Sequence, residues 1–506
     1  MTGRRIGETI CVLAVTGLAM AGADGQTTHY PVFTNTVPGQ QSLKAAFLNG
    51  KAASTFVPAA TPSVKTVYQP TLESLNRHPP PRWYADAKLG IFIHWGLYSV
   101  PGWAAVNRPK VIPKEDEAKW NAYAEWYYNT MRIPGSPTAA YHREHYGANF
   151  NYYDFEPIFN RDIKKWNPAV MAEAFKDAGA RYVVLTSKHH EGFTLWPSKV
   201  VNPNQQHLQA DRDIVGELTE AVRRDGMKMG LYYSGGYDWT FNRGPIIGGN
   251  DWQTVKPETI AYGQYAFDQI EELIAKYHPA VLWDDIDWPK TGKPLQVMAD
   301  YYNVIPDGVI DDRFGVKHSD FQSPEYQKRN EISKVKWEEC RGLGRSFGYN
   351  RAEGERETIA PDALIYLLVD IVSKNGNLLL DVGPEADGTI PPIQMDRLKS
   401  LGAWLRQNGE AIYGTEPWSR AEGETDQKIP VRFTQKGGHL YATLMGSPKA
   451  GAILLRDVRA ASGSEVHLLG DAKPLTWTQK GADLEVELPA SLPGKYAYVL
   501  RMDAAS

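Results

Sequence analysis

Two short apolar runs of this chain end in carboxylates that follow a tryptophan. The first run ends in Trp283-Asp284-Asp285 and the second in Trp337-Glu338. Each run predicts a buried strand that turns acidic at its last residues, where a β/α chain presents its chemistry. Two carboxyls from different strand ends, surrounded by aromatic rings, can act as nucleophile and acid on a glycosidic bond. The spacing therefore predicts sugar chemistry at these two strand ends.

Strand alternation separates the two aspartates. Successive strand residues point to opposite faces, so Trp283 and Asp285 share one face while Asp284 points to the other. One aspartate must therefore point away from the barrel axis. The alternative interpretation of either residue is a helix N-cap or an ion pair, which fits one aspartate better than both.

Glu338 also has two interpretations. A carboxyl against the indole of Trp337 has its pKa raised by desolvation, which suits a general acid that holds its proton near neutral pH. Alternatively, the carboxylate pairs with Lys336 or Arg341, which lie close in the sequence. Spacing alone does not choose between these two roles.

The adjacent histidines His189 and His190 raise the question of a metal site. Neighbouring strand residues point to opposite faces, so both could bind one ion only at a bulge or a strand end. Without a typical metal-ligand spacing, neutral histidines that hydrogen-bond sugar hydroxyls fit better, and we predict neither metal nor cofactor. Arg313 is a candidate to pair with a carboxylate or to hold a substrate oxygen.

Strand-like apolar runs alternate with amphipathic helical stretches from about residue 82 to residue 415. The predicted strands are 89–94, 182–186, 227–233, 280–283, 308–310, 335–337 and 377–382, and the predicted helices include 168–178, 214–224, 259–277, 361–373 and 394–408. No Gly-x-Gly-x-x-Gly follows the first strand, so a (β/α)8-like TIM barrel is favoured over a nucleotide-binding sheet. Polar side chains follow six successive predicted strands, and a parallel barrel would place them all on one rim.

Short alternating runs separated by turn residues replace the helical period after Trp418, which predicts a C-terminal antiparallel β-sandwich. The amino terminus carries Arg4-Arg5, an apolar stretch and a small-residue cleavage site, typical of a secretory signal. We therefore expect a periplasmic or secreted protein. Because no later run of about 20 apolar residues follows, we expect no membrane anchor. The domain prediction is a signal peptide over 1–23, an extended lead-in over 24–75, a barrel over 76–417 and a β-sandwich over 418–506.

Composition excludes some classes of protein. The 506 residues carry a formal net charge of −4, which argues against a nucleic-acid partner. The 15 Trp and 27 Tyr fit core packing and carbohydrate stacking equally well. Of the two cysteines, Cys11 lies in the predicted signal peptide, so a mature chain with Cys340 alone has no internal disulfide. The sequence carries no signal for an oligomeric state.

Eight ordered motifs resemble the α-L-fucosidases of glycoside hydrolase family 29. They span residues 83–103, 124–127, 188–193, 232–236, 283–285, 336–338, 346–350 and 377–384. The resemblance is strong from about residue 68 to residue 418 and looser in the C-terminal domain. It implies an exo-acting retaining hydrolase that removes terminal α-L-fucosyl residues from fucosylated oligosaccharides or glycoconjugates through a covalent fucosyl-enzyme intermediate.

The resemblance also implies roles for individual residues. By motif position, Asp285 would be the nucleophile and Glu338 the acid/base, as in those family members that carry the acid after Lys-Trp. The fucose pocket would be formed by His94, Glu125, Trp126, His189, His190, Tyr232, Trp283 and Arg313. No metal is required.

This chain departs from the family pattern at two positions. Glu191 stands where the motif often has Asp, and Asp284 stands where Asn is common beside the nucleophile. An ionised carboxylate at Asp284 would raise the pKa of Asp285 by like-charge repulsion. Three alternatives stand beside the fucosidase interpretation: a catalytically inactive fucose-binding protein, a metal-dependent hydrolase and a retaining glycosidase for a related sugar.

Overall fold

The computed structural model describes residues 67–242 and 244–503. The predicted signal peptide and most of the predicted lead-in lie outside the described residues. The first unit is a curled seven-stranded parallel sheet whose strand order is β5-β4-β3-β2-β1-β7-β6. Its strands are β1 (Leu89–Ile93), β2 (Tyr182–Lys188), β3 (Lys228–Ser234), β4 (Val281–Asp285), β5 (Val309–Ile310), β6 (Trp337–Gly342) and β7 (Gly376–Val382).

Period-2 alternation divides each barrel strand between two apolar layers. In β4, Val281 and Trp283 face inward and join the core inside the barrel, whereas Leu282 packs outward against the helices. All five residues of β4 are buried, because helices cover the outer face and the opposite strands cover the inner face. The predicted sharing of one face by Trp283 and Asp285 is confirmed, and that face is the barrel interior.

An extended segment lies between the two edge strands of the sheet. This segment, residues 320–326, is called the bridging segment below. The Asp320 N–H donates to the carbonyl of Ile310 in β5 at 2.9 Å, and on the other side the Glu338 N–H donates to the carbonyl of Gln322 at 2.7 Å. The bridging segment therefore takes the eighth position of the barrel without being a regular strand.

The predicted position of β6 is wrong by several residues. The sequence predicted a strand over 335–337, but the strand runs from Trp337 to Gly342. Val335 is half exposed, whereas Glu338 and Cys340 point into the barrel. Glu338 therefore lies at the beginning of its strand instead of at the carboxyl end, where a barrel gathers its catalytic groups.

Twelve α-helices accompany the sheets in the described part of the chain. They are α1 (Leu72–Leu75), α2 (Arg82–Ala87), α3 (Tyr127–Met131), α4 (Pro137–Tyr146), α5 (Glu156–Asp162), α6 (Pro168–Asp177), α7 (Ile214–Arg224), α8 (Asp251–Thr254), α9 (Ile260–Tyr277), α10 (Pro294–Val304), α11 (Pro361–Ser373) and α12 (Pro392–Asn408). Several begin at a residue that fixes the first turn: the Asp213 side chain accepts from Gly216 N–H at α7, and Thr259 caps α9 in the same way.

The C-terminal unit contains two antiparallel sheets, as predicted. Their orders are β13-β12-β16-β10-β9-β8 and β11-β15-β14. The strands are β8 (Glu416–Glu424), β9 (Pro430–Lys436), β10 (His439–Leu444), β11 (Gly451–Leu455), β12 (Val466–Leu468), β13 (Pro474–Leu475), β14 (Trp477–Lys480), β15 (Asp483–Leu488) and β16 (Tyr498–Asp503). Arg432 of β9 contacts Asp370 of α11 at 2.6 Å, which ties this unit to the barrel. Among the described residues, no helix combines the length and the apolarity that crossing a bilayer requires.

Candidate active site

Asp285, the last residue of β4, is held by two donors. Its Oδ1 accepts from Arg313 Nη1 at 2.8 Å, and its Oδ2 accepts from the Tyr232 hydroxyl at 2.9 Å. The residue retains only 9% of its surface exposure and lines the main cavity of the barrel. These bonds fix the orientation of the carboxylate before any substrate arrives, as an efficient nucleophile requires.

Arg313 joins Asp285 to a second carboxylate, that of Glu325. The same Nη1 lies 2.8 Å from Asp285 Oδ1 and 2.6 Å from Glu325 Oε1. The two oxygens are therefore separated by less than the sum of these distances, which is compatible with the carboxyl separation of about 5–5.5 Å in retaining glycosidases. Burial lowers the pKa of Arg313, but Glu325 and Asp285 more than offset this and hold its pKa above its usual value.

The cavity has a volume of about 970 Å³ and collects most of the predicted pocket residues. Its wall includes Asp285 and seven of the eight residues predicted to bind the sugar: His94, Glu125, Trp126, His189, His190, Tyr232 and Trp283. The eighth, Arg313, lies over the Trp283 ring, with 4.4 Å between its guanidinium carbon and the ring centroid. Separate strands and loops thus bring all eight to one place.

The three histidines of the wall are each fixed by a hydrogen bond at Nδ1. His94 contacts Asp381 at 2.7 Å, and His190 contacts the Ser234 hydroxyl at 2.6 Å. Burial, together with neighbouring positive groups, lowers the pKa of both His189 and His190 well below the usual value, so both rings are neutral near pH 7. Neutral imidazoles suit hydrogen bonds to sugar hydroxyls. Within the described chain, no group of three His, Cys, Asp or Glu side chains has the arrangement of a metal site.

Glu125 presents a buried carboxyl to the same cavity. It is 3% exposed, and its Oε2 has no hydrogen-bond partner among the described residues. Burial raises its pKa well above the usual value, which favours the protonated form. A protonated carboxyl with an unused oxygen can both donate to and accept from a sugar hydroxyl.

Asp284 points away from the cavity. Its Oδ1 accepts from the Gly235 N–H at 3.1 Å, and it is absent from the cavity wall. Burial, and then the nearby Asp311, raise its pKa well above the usual value. This shift favours the neutral form of Asp284, which weakens the like-charge repulsion that an ionised carboxylate there would exert.

Glu338 lies in the barrel core below the cavity and not on its wall. It is fully buried, and its carboxyl accepts from Tyr84 at 2.8 Å, from Trp283 Nε1 at 3.1 Å and from the Tyr182 hydroxyl. Burial raises its pKa, against the lowering effect of these bonds. Its placement at the start of β6, outside the cavity wall, does not support the assignment as acid/base, because an acid must reach the leaving oxygen. Instead it anchors the indole of Trp283 from beneath.

Glu338→Gln should therefore cost stability more than activity. The amide can still accept from Trp283, but it must rearrange its bonds to the two tyrosines, at a cost of about 1–3 kcal/mol in the free energy of unfolding. We expect kcat/KM to stay within about tenfold of the wild type, because Glu338 is not the acid in this account. Loss of a general acid would lower kcat/KM by about 10²–10⁴-fold. Thermal unfolding and kinetics on one preparation test this, and a loss of about a thousandfold at unchanged stability would restore Glu338 as the acid.

Glu325 is the functional residue that the sequence interpretation missed. It lies in the bridging segment, where Pro324 and the absence of a continuous apolar run hide an extended chain. A signal was present in the alternation of Phe321, Ser323 and Glu325. Phe321 packs in the core inside the barrel, so Glu325, four residues later, faces the same side and reaches the cavity.

Family models match both units of the chain. A model described as α-L-fucosidase matches residues 55–410, and one described as the α-L-fucosidase C-terminal domain matches residues 425–503. Among curated relatives, the α-L-fucosidase of Dictyostelium discoideum is 35% identical over 461 residues, which cover 86% of this chain and 95% of the relative. Human tissue α-L-fucosidase is 33% identical over 457 residues, which cover 86% of this chain and 91% of the relative.

Solved structures agree with these relatives. The Thermotoga maritima α-fucosidase in complex with fucose is 42% identical, with a TM-score of 0.79 and coverage of 86% of this chain and 100% of that chain. Isoenzyme 1 of the Paenibacillus thiaminolyticus α-L-fucosidase is 27% identical, with a TM-score of 0.64 and coverage of 84% of this chain and 98% of that chain. Since the family model spans well over half of the chain and these relatives cover both units, this protein belongs to the α-L-fucosidases of glycoside hydrolase family 29.

Proposed function

We propose that this protein is an exported, retaining exo-α-L-fucosidase that removes terminal α-L-fucosyl residues from glycans through a covalent intermediate. The observation that carries the proposal is the sharing of one guanidinium, that of Arg313, by Asp285 and Glu325 at a single cavity. In this proposal Asp285 is the nucleophile and Glu325, in place of Glu338, is the acid/base. The N-terminal signal-like sequence supports export.

The first step forms a fucosyl ester. A carboxylate oxygen of Asp285 attacks the anomeric carbon while the bond from that carbon to the leaving oxygen breaks. Glu325 transfers its proton to this oxygen, so the aglycone departs as a neutral alcohol. The Tyr232 hydroxyl and Arg313, which already contact the Asp285 carboxylate, set the angle of attack.

The second step returns the enzyme to its starting state. Glu325, now a carboxylate, takes a proton from a water whose oxygen attacks the anomeric carbon, and the bond to Asp285 breaks. Two inversions at one carbon give net retention. The aromatic wall, which includes Trp283, Phe92 and Phe347, excludes bulk water and suits the apolar face and methyl group of fucose.

Proton NMR of the first-formed sugar tests this proposal. A panel of α-1,2, 1,3, 1,4 and 1,6 fucosides and an aryl β-galactoside is incubated with the enzyme, and anomeric signals are recorded before mutarotation. We expect α-L-fucose as the initial product from at least one fucoside, at a rate well above that for the galactoside. Initial β-L-fucose would contradict retention, and faster cleavage of the galactoside would contradict the substrate. Export is tested separately by fractionating cells of the native host: we expect the protein in the periplasmic or secreted fraction, and its retention in the cytoplasm would contradict export.

A further inference from the structure

Two arginines line the cavity, Arg108 and Arg345, and neither forms a side-chain ion pair with a described residue. Acidic groups act on them only from nearby positions: Glu117 acts on the charge of Arg108, and Glu353, which accepts from the Arg345 backbone N–H at 2.8 Å, interacts with the charge of Arg345. The Nε atom of each is shielded from solvent and has no hydrogen-bond partner in the described part of the chain. Buried donors of this kind are costly unless something binds them.

Arg108 and Arg345 lie close enough together for their like charges to interact. Burial, followed by the positive charge of Arg345, lowers the pKa of Arg108, and Glu117 opposes this only weakly. The same cavity is lined by further cations, namely Lys114, Lys328, Arg341 and Arg356. The wall also carries carboxyls. Asp285 and Glu325 pair with Arg313, and Asp370 and Glu422 pair with Lys374 and Arg432. The remaining carboxyls of the wall are Glu117, Glu125 and Glu357.

Aromatic contacts connect this arginine pair to the catalytic end of the cavity. The ring of Phe347 lies 5.1 Å from His94 and 5.4 Å from Tyr123, centroid to centroid. Tyr123 is in turn close enough to Arg108 and to Glu325 for charge interactions with both. A hydrogen bond joins the segments that carry Tyr123 and Phe347: the Ala124 N–H donates to the Ser346 hydroxyl at 2.7 Å.

Glu325 fixes the direction in which the substrate extends. In the proposed function it protonates the leaving oxygen, so the sugar next to fucose must lie on the Glu325 side of the cavity. Tyr326, which follows Glu325, places its ring 5.6 Å from that of Phe347. The sugar that carries the fucose therefore extends toward Phe347, Tyr123 and the arginine pair.

We propose that Arg108 and Arg345 bind an anionic group, a carboxylate or a sulfate, on the sugar to which the fucose is attached. Guanidinium groups match both anions through paired N–H donors. The preferred substrates would then be acidic fucosylated glycans, in which fucose is linked to a uronic acid or to a sulfated sugar. This inference rests on the proposed function and adds the class of the leaving sugar.

Three matched fucosyl disaccharides test the inference. They carry galactose, galacturonate or galactose 6-sulfate as the leaving sugar in the same linkage. For the wild type we expect kcat/KM on at least one acidic substrate to exceed that on the neutral one by about tenfold or more, the gain expected for a charged hydrogen bond. The galacturonate and sulfate arms identify which anion is bound.

The double variant R108Q/R345Q should bring the ratio of acidic to neutral kcat/KM close to one. The control R143Q/R224Q removes two exposed arginines of α4 and α7 and should keep the wild-type ratio. If the double variant does not fold, about 0.5 M salt on the wild type should reduce the ratio by screening. The linkage is one that the wild type cleaves in the fucoside panel. Equal kcat/KM for all three substrates in the wild type would overturn the inference alone, whereas failure to hydrolyse any fucoside of the panel would overturn the proposed function.

Discussion

Asp285→Ala is expected to lower kcat for an aryl α-L-fucoside by about 10⁴-fold or more, because no ester can form without the carboxylate. Arg313 and Tyr232 would remain at the cavity, and Arg313 would keep its contact with Glu325. The fold should persist, since Asp285 lies at the cavity surface and its loss opens no core void. Steady-state kinetics with a thermal unfolding curve measure both expectations.

Azide provides a diagnostic of the missing nucleophile. In the space left by the Asp285 carboxylate, azide can attack the anomeric carbon from the same side and give a fucosyl azide of inverted configuration. The matched control is Asp284→Asn, which changes the neighbouring carboxyl that faces Gly235. It should keep activity within about tenfold. A fully active Asp285→Ala, or an inactive Asp284→Asn, would contradict the assignment.

Glu325→Ala is expected to have the second largest effect, and its size should depend on the leaving group. On a fucosyl disaccharide we expect kcat/KM to fall by about 10²–10⁴-fold, since the departing alcohol needs a proton. On a fucoside with an acidic aryl leaving group the first step needs little protonation, so the loss in kcat/KM should be much smaller. Measuring kcat/KM on both substrates separates a general acid from a residue that only supports the fold.

Comparison with Glu338→Gln makes the choice between the two glutamates. Only the acid/base variant should lose the limb of the pH dependence of kcat/KM that reports proton donation. Azide should accelerate breakdown of the fucosyl ester only in that variant. If Glu338→Gln instead shows this leaving-group dependence and Glu325→Ala does not, the assignment of Glu325 is wrong.

Local pattern was sufficient for much of the barrel. The predicted helix over 361–373 matches α11, and β7 runs over Gly376–Val382 against a prediction of 377–382. Alternation along β4 also put Asp285 on the same face as Trp283. These features depend on period and on neighbouring residues in the sequence, so a sequence can reveal them.

The two glutamates show what local pattern does not contain. Glu338 was predicted at a strand end because the apolar residues before it are Val335 and Trp337, yet the ladder with β7 begins only at Trp337. Glu325 was missed because the bridging segment is held by the backbones of β5 and β6 and not by its own propensity. Both outcomes depend on pairing between distant parts of the chain.

The most direct test of the account is to trap the intermediate with 2-deoxy-2-fluoro-L-fucosyl fluoride and map the label by mass spectrometry. The 2-fluoro group slows both steps, while the good leaving group keeps formation of the ester faster than its hydrolysis. We predict one fucosyl group on the peptide that contains residues 281–288, attached at Asp285 and released when activity returns. A label on Glu325 or Glu338, or inactivation without any ester, would contradict the account.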